Sequence, residues 1–293
     1  MSQQGGTSPG DELLWHQLPR LNRPIIIAAF EGWNDAGDAS SSAVQHLIDQ
    51  WGAEPFASID PEGFYDFTAT RPHVALSDGG ERRLIWPSNE FYGAQLTDRA
   101  RDAILIRGIE PQLRWRTFCD LIMEVANRYH ASLVVTIGAL LADVPHTRPT
   151  VVYGSADNQA GADRLGLKAS TYEGPTGIVG VLHSACRVSG IESASLWAAV
   201  PTYVPHAQSP KATLALLERL GKLIEVDIER TALEIESADY ERQVTAFVSQ
   251  DDDAAVYVGE LEGQYDAGID GDDETSPEAF VEQVERFLRD QPD

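Results

Sequence analysis

Four polar residues crowd a single turn of this chain. Glu31, Asn34, Asp35 and Asp38 follow the run Pro24-Ile25-Ile26-Ile27-Ala28-Ala29-Phe30, with Gly32, Trp33, Ala36 and Gly37 among them. Three carboxylates this close could hold a cation or supply a general base if they converged on one point. Glu31 precedes the turn, however, while Asp35 and Asp38 lie beyond it. A simpler use of the same residues is to cap the following helix and offset its positive end, each contributing roughly 0.5–1 kcal/mol. Gly32, Trp33, Asn34, Asp35 and Asp38 therefore form the first half of a candidate pocket or interface.

The second half comes from two later stretches. Gly174, Gly177 and Gly180 recur every third residue through the start of a helix, beside Glu173 and Thr176. Their backbone N–H groups could cradle an anion. The stretch has neither the Lys-Ser/Thr ending of a Walker loop nor the dinucleotide fingerprint, and glycines so spaced also allow a helix to pack closely; close packing is the favoured reading. His146, within Asp143-Val144-Pro145-His146-Thr147-Arg148-Pro149, follows a strand end and could act with Asp143 or Glu173. No two histidines have the i, i+4 spacing of a zinc helix and no Cys/His cluster occurs. Neither a metal nor a cofactor is expected. The Gly-x-Ser-x-Gly nucleophile turn is missing, and Gly154-Ser155-Ala156 lacks its second glycine. Ser40, Ser41 and Ser42 read as a crowded interface or a solvated face, so no catalytic residue is assigned.

The elements that must position these residues alternate. A strand over about 24–30 leads to a helix from about Asp38 to Trp51, with Val44, Leu47, Ile48 and Trp51 at helical spacing. Further strands are expected over 54–59, 83–86, 103–107, 132–137, 150–153 and 194–200. Pro111 is expected to open a long helix, followed by helices over 160–165, 178–188 and 210–223. Such alternation predicts a three-layer α/β/α domain with a largely parallel central sheet, over residues 23–224. Ligand or partner sites in such sheets lie at the carboxyl ends of the strands. Residues 1–22 read as a disordered start. Residues 225–293 read as an acidic helical extension: two helices bent near Ser249–Asp253, an acidic linker over 267–276, and a terminal helix from Pro277.

Charge narrows the partners. Residues 225–293 hold 22 Asp/Glu against 4 Lys/Arg, which places −18 of the net −24 there. An acidic surface of that size repels phosphate backbones and anionic lipids, so neither nucleic acid nor membrane is an expected partner. Cys119 and Cys186 lie in amphipathic stretches and read as small core residues. With no apolar leader or span in sight, the chain is expected to be cytoplasmic.

In order and spacing, four segments resemble the PAC2 family, the proteasome-assembly-chaperone-2-like proteins, and its actinobacterial branch in particular. They are Phe30-Glu31-Gly32-Trp33-Asn34-Asp35-Ala36-Gly37; Ile137-Gly138-Ala139-Leu140 with the Asp143–Pro149 stretch; Tyr172-Glu173-Gly174-Pro175-Thr176-Gly177-Ile178; and Ala199-Val200-Pro201-Thr202-Tyr203-Val204-Pro205. The resemblance implies an α/β/α domain similar to nucleoside-phosphorylase-like folds. In the eukaryotic relatives this domain serves as a chaperone that holds proteasome α-subunits. Some archaeal relatives dock through a C-terminal hydrophobic-Tyr-x ending, from which Asp290-Gln291-Pro292-Asp293 departs. Two functions follow. The favoured one is a non-catalytic, self-associating assembly chaperone or scaffold, a trimer, with proteasome-related or other protein subunits as partners. The alternative is a nucleoside hydrolase or phosphorylase using Asn34, Asp35, His146, Glu173 and Thr176.

Overall fold

The apolar run after Pro24 becomes a strand buried on both faces, as its composition requires, and three similar runs lie beside it. The computed structural model describes residues 12–77, 79–96, 101–170 and 172–268. Its strands are β1 (Leu13–Trp15), β2 (Ile25–Glu31), β3 (Glu54–Ile59), β4 (His73–Leu76), β5 (Arg82–Ile85), β6 (Asn89–Ala94), β7 (Ala103–Ile109), β8 (Leu133–Ala142), β9 (Val152–Ala156), β10 (Lys168–Ala169) and β11 (Ser193–Pro201). Its helices are α1 (Ala39–Trp51), α2 (Trp115–Arg128), α3 (Gln159–Leu165), α4 (Ile178–Ser189), α5 (Pro210–Ile224), α6 (Thr231–Val248) and α7 (Asp252–Gly268).

Among the described residues, nine strands form one sheet in the order β1-β3-β6-β7-β2-β8-β11-β9-β10. The central four, β7-β2-β8-β11, are parallel, with Ile25 opposite both Ala103 and Leu133, and Ser193 opposite Val134. Antiparallel pairings begin on either side, at β6 against β7 and at β9 against β11. Alternation along β2 divides the core. Ile26, Ala28 and Phe30 face α2 and α4 with Phe118, Ile122, Leu182 and Cys186. Ile25, Ile27 and Ala29 face α1 and α5 with Val44, Leu47, Leu216 and Leu220. The result is the expected three-layer α/β/α arrangement, with α6 laid over α5.

Several local expectations are corrected. Helix α2 begins at Trp115 rather than Pro111, because the N–H groups of Gln112 and Leu113 are drawn to the Phe64 carbonyl and Arg114 turns through φ 54°. The start is not disordered throughout: Leu13–Trp15 adds β1 to the sheet edge opposite Ala57–Ile59, and Trp15 stacks on Phe56. Ser40 and Ser41 are buried rather than solvated. Strands β4, β6 and β10 also lay outside the sequence reading. The break between α6 and α7 falls at residues 249–251, within the stretch expected to bend. Ile228 and Leu233, at the start of the acidic helical stretch, join the core cluster under α1 and α5. Ala267 and Gly268, the first residues of the linker expected over 267–276, belong to α7, and the rest of that linker and the helix from Pro277 lie outside the described residues.

Candidate functional site at the strand ends

The carboxyl end of β2 turns at Gly32, whose φ of 119° is strained for any residue with a Cβ. The next residues tie the turn to β8. Ala139 N–H donates to the Asn34 carbonyl at 2.8 Å, and Asp35 forms a bridge with Ala139. Asp35 is buried, and its Oδ1 accepts the Ser40 N–H at 2.7 Å, the Ser40 hydroxyl at 2.6 Å and the Ser41 N–H at 3.1 Å. These bonds close the first turn of α1. Asp38 stays exposed and accepts from Gln208 Nε2 at 3.1 Å. Glu31 instead pairs with Arg107 at 2.9 Å. Its carboxyl is held above the usual range, first by burial and then by Asp35 and Asp38, with Arg107 opposing. The three carboxylates thus serve different partners and do not converge.

The α4 start meets this turn on the same rim. Glu110, at the end of β7, accepts the Ile178 N–H at 2.8 Å through Oε1. Burial raises the Glu110 pKa, opposed by the Ile178 bond and the amide of Asn34. Asn34 is fully buried, and its amide atoms face Glu110 without a well-formed hydrogen bond. A Cβ on Gly177 would lie 2.8 Å from Glu110 Oε1 and 3.2 Å from Asn34 Oδ1. One on Gly180 would meet the Thr176 hydroxyl at 2.0 Å. The glycines therefore serve close packing, and the position an anion would take at this helix start is filled by the protein's own carboxylate.

Beyond α4, the sheet face over β9 and β11 is left open as a cavity of about 350 Å³. Trp33 and Trp197, edge to face with centroids 6.1 Å apart, wall one side. Gly174, Thr176 and Gly177 form its rim, and Ser155, Ser195, His183, Asp157 and Arg187 supply polar groups. The serine hydroxyls are 3.0 Å apart. His183 Nε2 lies 3.0 Å from the Thr136 hydroxyl, and burial lowers the His183 pKa to about 4, so the ring is neutral at pH 7. Asp157 grips Arg187 with contacts down to 2.6 Å. Glu173 is exposed and does not line the cavity. A second hollow of about 370 Å³ holds Gly32, Trp33, Asp35 and Asp38 against Pro205–Gln208.

His146 belongs to neither hollow. It is buried, with Nδ1 2.8 Å from the Tyr203 hydroxyl and Nε2 2.9 Å from the Thr245 hydroxyl of α6. Its carbonyl accepts from Lys211 Nζ at 2.5 Å, and that ammonium also pairs with Glu241. The His146 pKa is lowered, chiefly by burial and then by Lys211. Of its expected acidic partners, Asp143 instead accepts from Thr202 and from Tyr257 of α7, each at 3.0 Å. Arg148 makes a two-pronged bond to Asp266, both contacts 2.7 Å, and reaches Glu262, to which Thr147 also donates. The Asp143–Pro149 stretch is thus a clasp that fastens α6 and α7.

Of the ten candidate residues, Gly32, Trp33, Asn34, Asp35 and Gly177 come together at the two turns, with Asp38 at their exposed margin. Gly174 and Thr176 share the adjoining cavity, while His146 and Glu173 stand apart. Sequence reasoning missed Glu110, although a carboxylate between the apolar run Ala103–Ile109 and Pro111 marks a strand end. It also missed the Asp157–Arg187 pair and the role of Tyr203. Among the described residues no cluster of His, Cys, Asp or Glu has a metal-binding arrangement, and no helix is long and apolar enough to cross a membrane.

With that geometry in place, the chain can be compared with known proteins. The PAC2 family model matches residues 29–248. No curated protein matches. A PAC2 family protein from Streptomyces avermitilis is 46% identical, covering 80% of this chain and 99% of that one, with a TM-score of 0.75. A proteasome-assembly chaperone homologue from Mycobacterium tuberculosis is 45% identical over 80% and 99% of the two chains, with a TM-score of 0.73. An archaeal proteasome activator from Pyrococcus furiosus shares the fold at 18% identity, with a TM-score of 0.66 over 80% of this chain and 97% of that one. The turn at Gly32, the Asp143–Pro149 clasp and the tight α4 start all lie inside the matched span, and the chain belongs to the PAC2 family.

Proposed function

We propose that this chain is a non-catalytic, self-associating scaffold or assembly chaperone whose partners are proteasome-related protein subunits. The carrying observation is the use made of its most chemically suggestive residues. Asp143, His146 and Arg148 fasten two acidic helices to the strand-end rim instead of converging on a cavity. The similarity to a chaperone homologue at 45% identity supports the same reading. Affinity capture of the full-length chain with proteasome α- and β-subunits of its host tests the proposal. Stable co-purification, weakened when the clasp on α7 and on Thr245 of α6 is removed by His146→Ala with Arg148→Ala, is the expected result; no association with any subunit at micromolar concentration refutes it.

A second reading is kept because of the cavity beside Trp33 and Trp197. Its volume is within the range of small-molecule sites, and it is lined by Thr176 rather than by Asp35 or His146. A hydrolase or phosphorylase would bind its substrate there. Thermal-shift titration with nucleosides and phosphate separates the readings, since a ligand that binds only the folded chain raises its melting temperature.

A further inference from the structure

Strands β4 and β5 form a ribbon of their own, apart from the nine-stranded sheet. Its register pairs Val74 with Leu84 and Leu76 with Arg82 on one face, and His73 with Ile85 and Ala75 with Arg83 on the other. The apolar members are open to solvent: Val74 is 59% exposed, Leu76 71%, Leu84 54% and Ile85 51%. The ribbon is tied at its base, where Trp86 meets Phe67 edge to face at 4.9 Å. An uncovered two-stranded ribbon is only marginally stable in water, and exposed apolar side chains on a strand pair mark a surface that another chain covers.

The ribbon's charge selects the occupant. In a chain of net charge −24, residues 71–86, which hold the ribbon and its base, carry Arg71, Arg82 and Arg83 against Asp78 and Glu81, a net +1. An oppositely charged surface with unpartnered apolar residues stands elsewhere on the same molecule. Residues 225–268 hold 13 Asp/Glu against 2 Lys/Arg. At their corner, Asp251, Asp252 and Asp253 lie between Phe247, 61% exposed, and Val256, 63% exposed. We infer that the β4–β5 ribbon of one copy docks on the α6–α7 corner of a second copy. The inference rests on the self-association reading above and assigns the surfaces that make it. The two patches are different parts of the molecule, so they pair either reciprocally about a two-fold axis or head to tail, the latter closing into a ring when the rotation between copies permits. Attraction between the arginines and the acidic corner steers the encounter and weakens in salt.

Mixed-chain cross-linking tests the pairing. One preparation carries Leu84→Cys and a second Val256→Cys, and a short bismaleimide is added to each alone and to the mixture; the native Cys119 and Cys186 are buried. The expected result is a covalent pair in the mixture only, together with a mass by light scattering above that of one chain. The triple variant Arg82→Glu, Arg83→Glu, Leu84→Asp is expected to weaken self-association at least about tenfold. Phe247→Asp with Val256→Asp, on the opposite surface, is expected to do the same, with folding of every variant checked by circular dichroism. A single-chain mass for the unsubstituted protein overturns both this inference and the self-association reading. An oligomer that forms no mixed cross-link and survives the ribbon variants overturns this inference alone. So does a ribbon variant that keeps its mass but loses capture of proteasome subunits, because the ribbon then faces the partner.

Discussion

Glu110 accepts the backbone N–H of Ile178 at 2.8 Å, and this one bond joins the end of a sheet strand to the first turn of the helix that borders the cavity. A carboxylate there satisfies a donor that the helix cannot satisfy itself and sits at the positive end of its dipole. Gly177 permits the approach, since any Cβ would press on the same oxygen.

Gly177→Ala is therefore expected to destabilise the fold by about 1–3 kcal/mol, the usual cost of overpacking a tight contact. Glu110→Ala should cost a similar ~1–3 kcal/mol through loss of a charge-assisted bond. Chemical denaturation of each variant checks both, and a double variant whose loss is much smaller than the sum would show that the two act on one contact.

The Glu110 carboxyl also gives a pH signature. Burial raises its pKa in the folded state above the ordinary 4.5. The folded chain therefore binds more protons than the unfolded chain between the ordinary and the raised value, and this group's contribution to stability falls as pH rises through that window. Glu110→Gln should flatten the decline in a melting-temperature series. A series unchanged by the substitution would show that Glu110 does not titrate in the folded protein as its burial requires.

His183 acts in the opposite sense. Its folded pKa is depressed from 6.5 to about 4, so its contribution is fully present above pH 6.5 and is lost as pH falls toward 4. His146, also shifted downward, adds to the same loss. His183→Gln should make stability less sensitive to pH across this range. Ring-proton titration by NMR should place the His183 transition far below that of an exposed histidine.

Arg148→Ala is expected to leave global stability nearly unchanged, because its ion pairs with Asp266 and Glu262 are partly exposed and screened by solvent. Its effect should be local. Helix α7 rests on a small cluster around Val258, Val248 and Tyr203 and on polar bonds from the clasp. Hydrogen exchange should therefore quicken in Asp252–Gly268 while β2 and β8 stay protected. Uniform acceleration across the sheet would instead give the clasp a role in the core.

The sequence by itself determined the elements whose evidence is local. Unbroken apolar runs marked β2, β8 and β11, glycine and asparagine marked the turn after β2, and the change of composition after Leu223 marked the acidic helices. Their alternation was sufficient to set the layered α/β/α class. Strands β4 and β10 carry too few residues for a period to register, β6 mixes Asn89, Glu90 and Gly93 among its apolar residues, and β1 is held by pairing with β3 rather than by its own pattern. The tertiary structure alone decided which polar groups met. Glu110 reached α4 and His146 reached α6 across 68 and 99 positions of chain, distances over which periodicity is silent. Burial of the two faces of the sheet fixes which strands are neighbours, and only that packing determines whether a carboxylate at a strand end faces a cavity, a cation or the start of a helix.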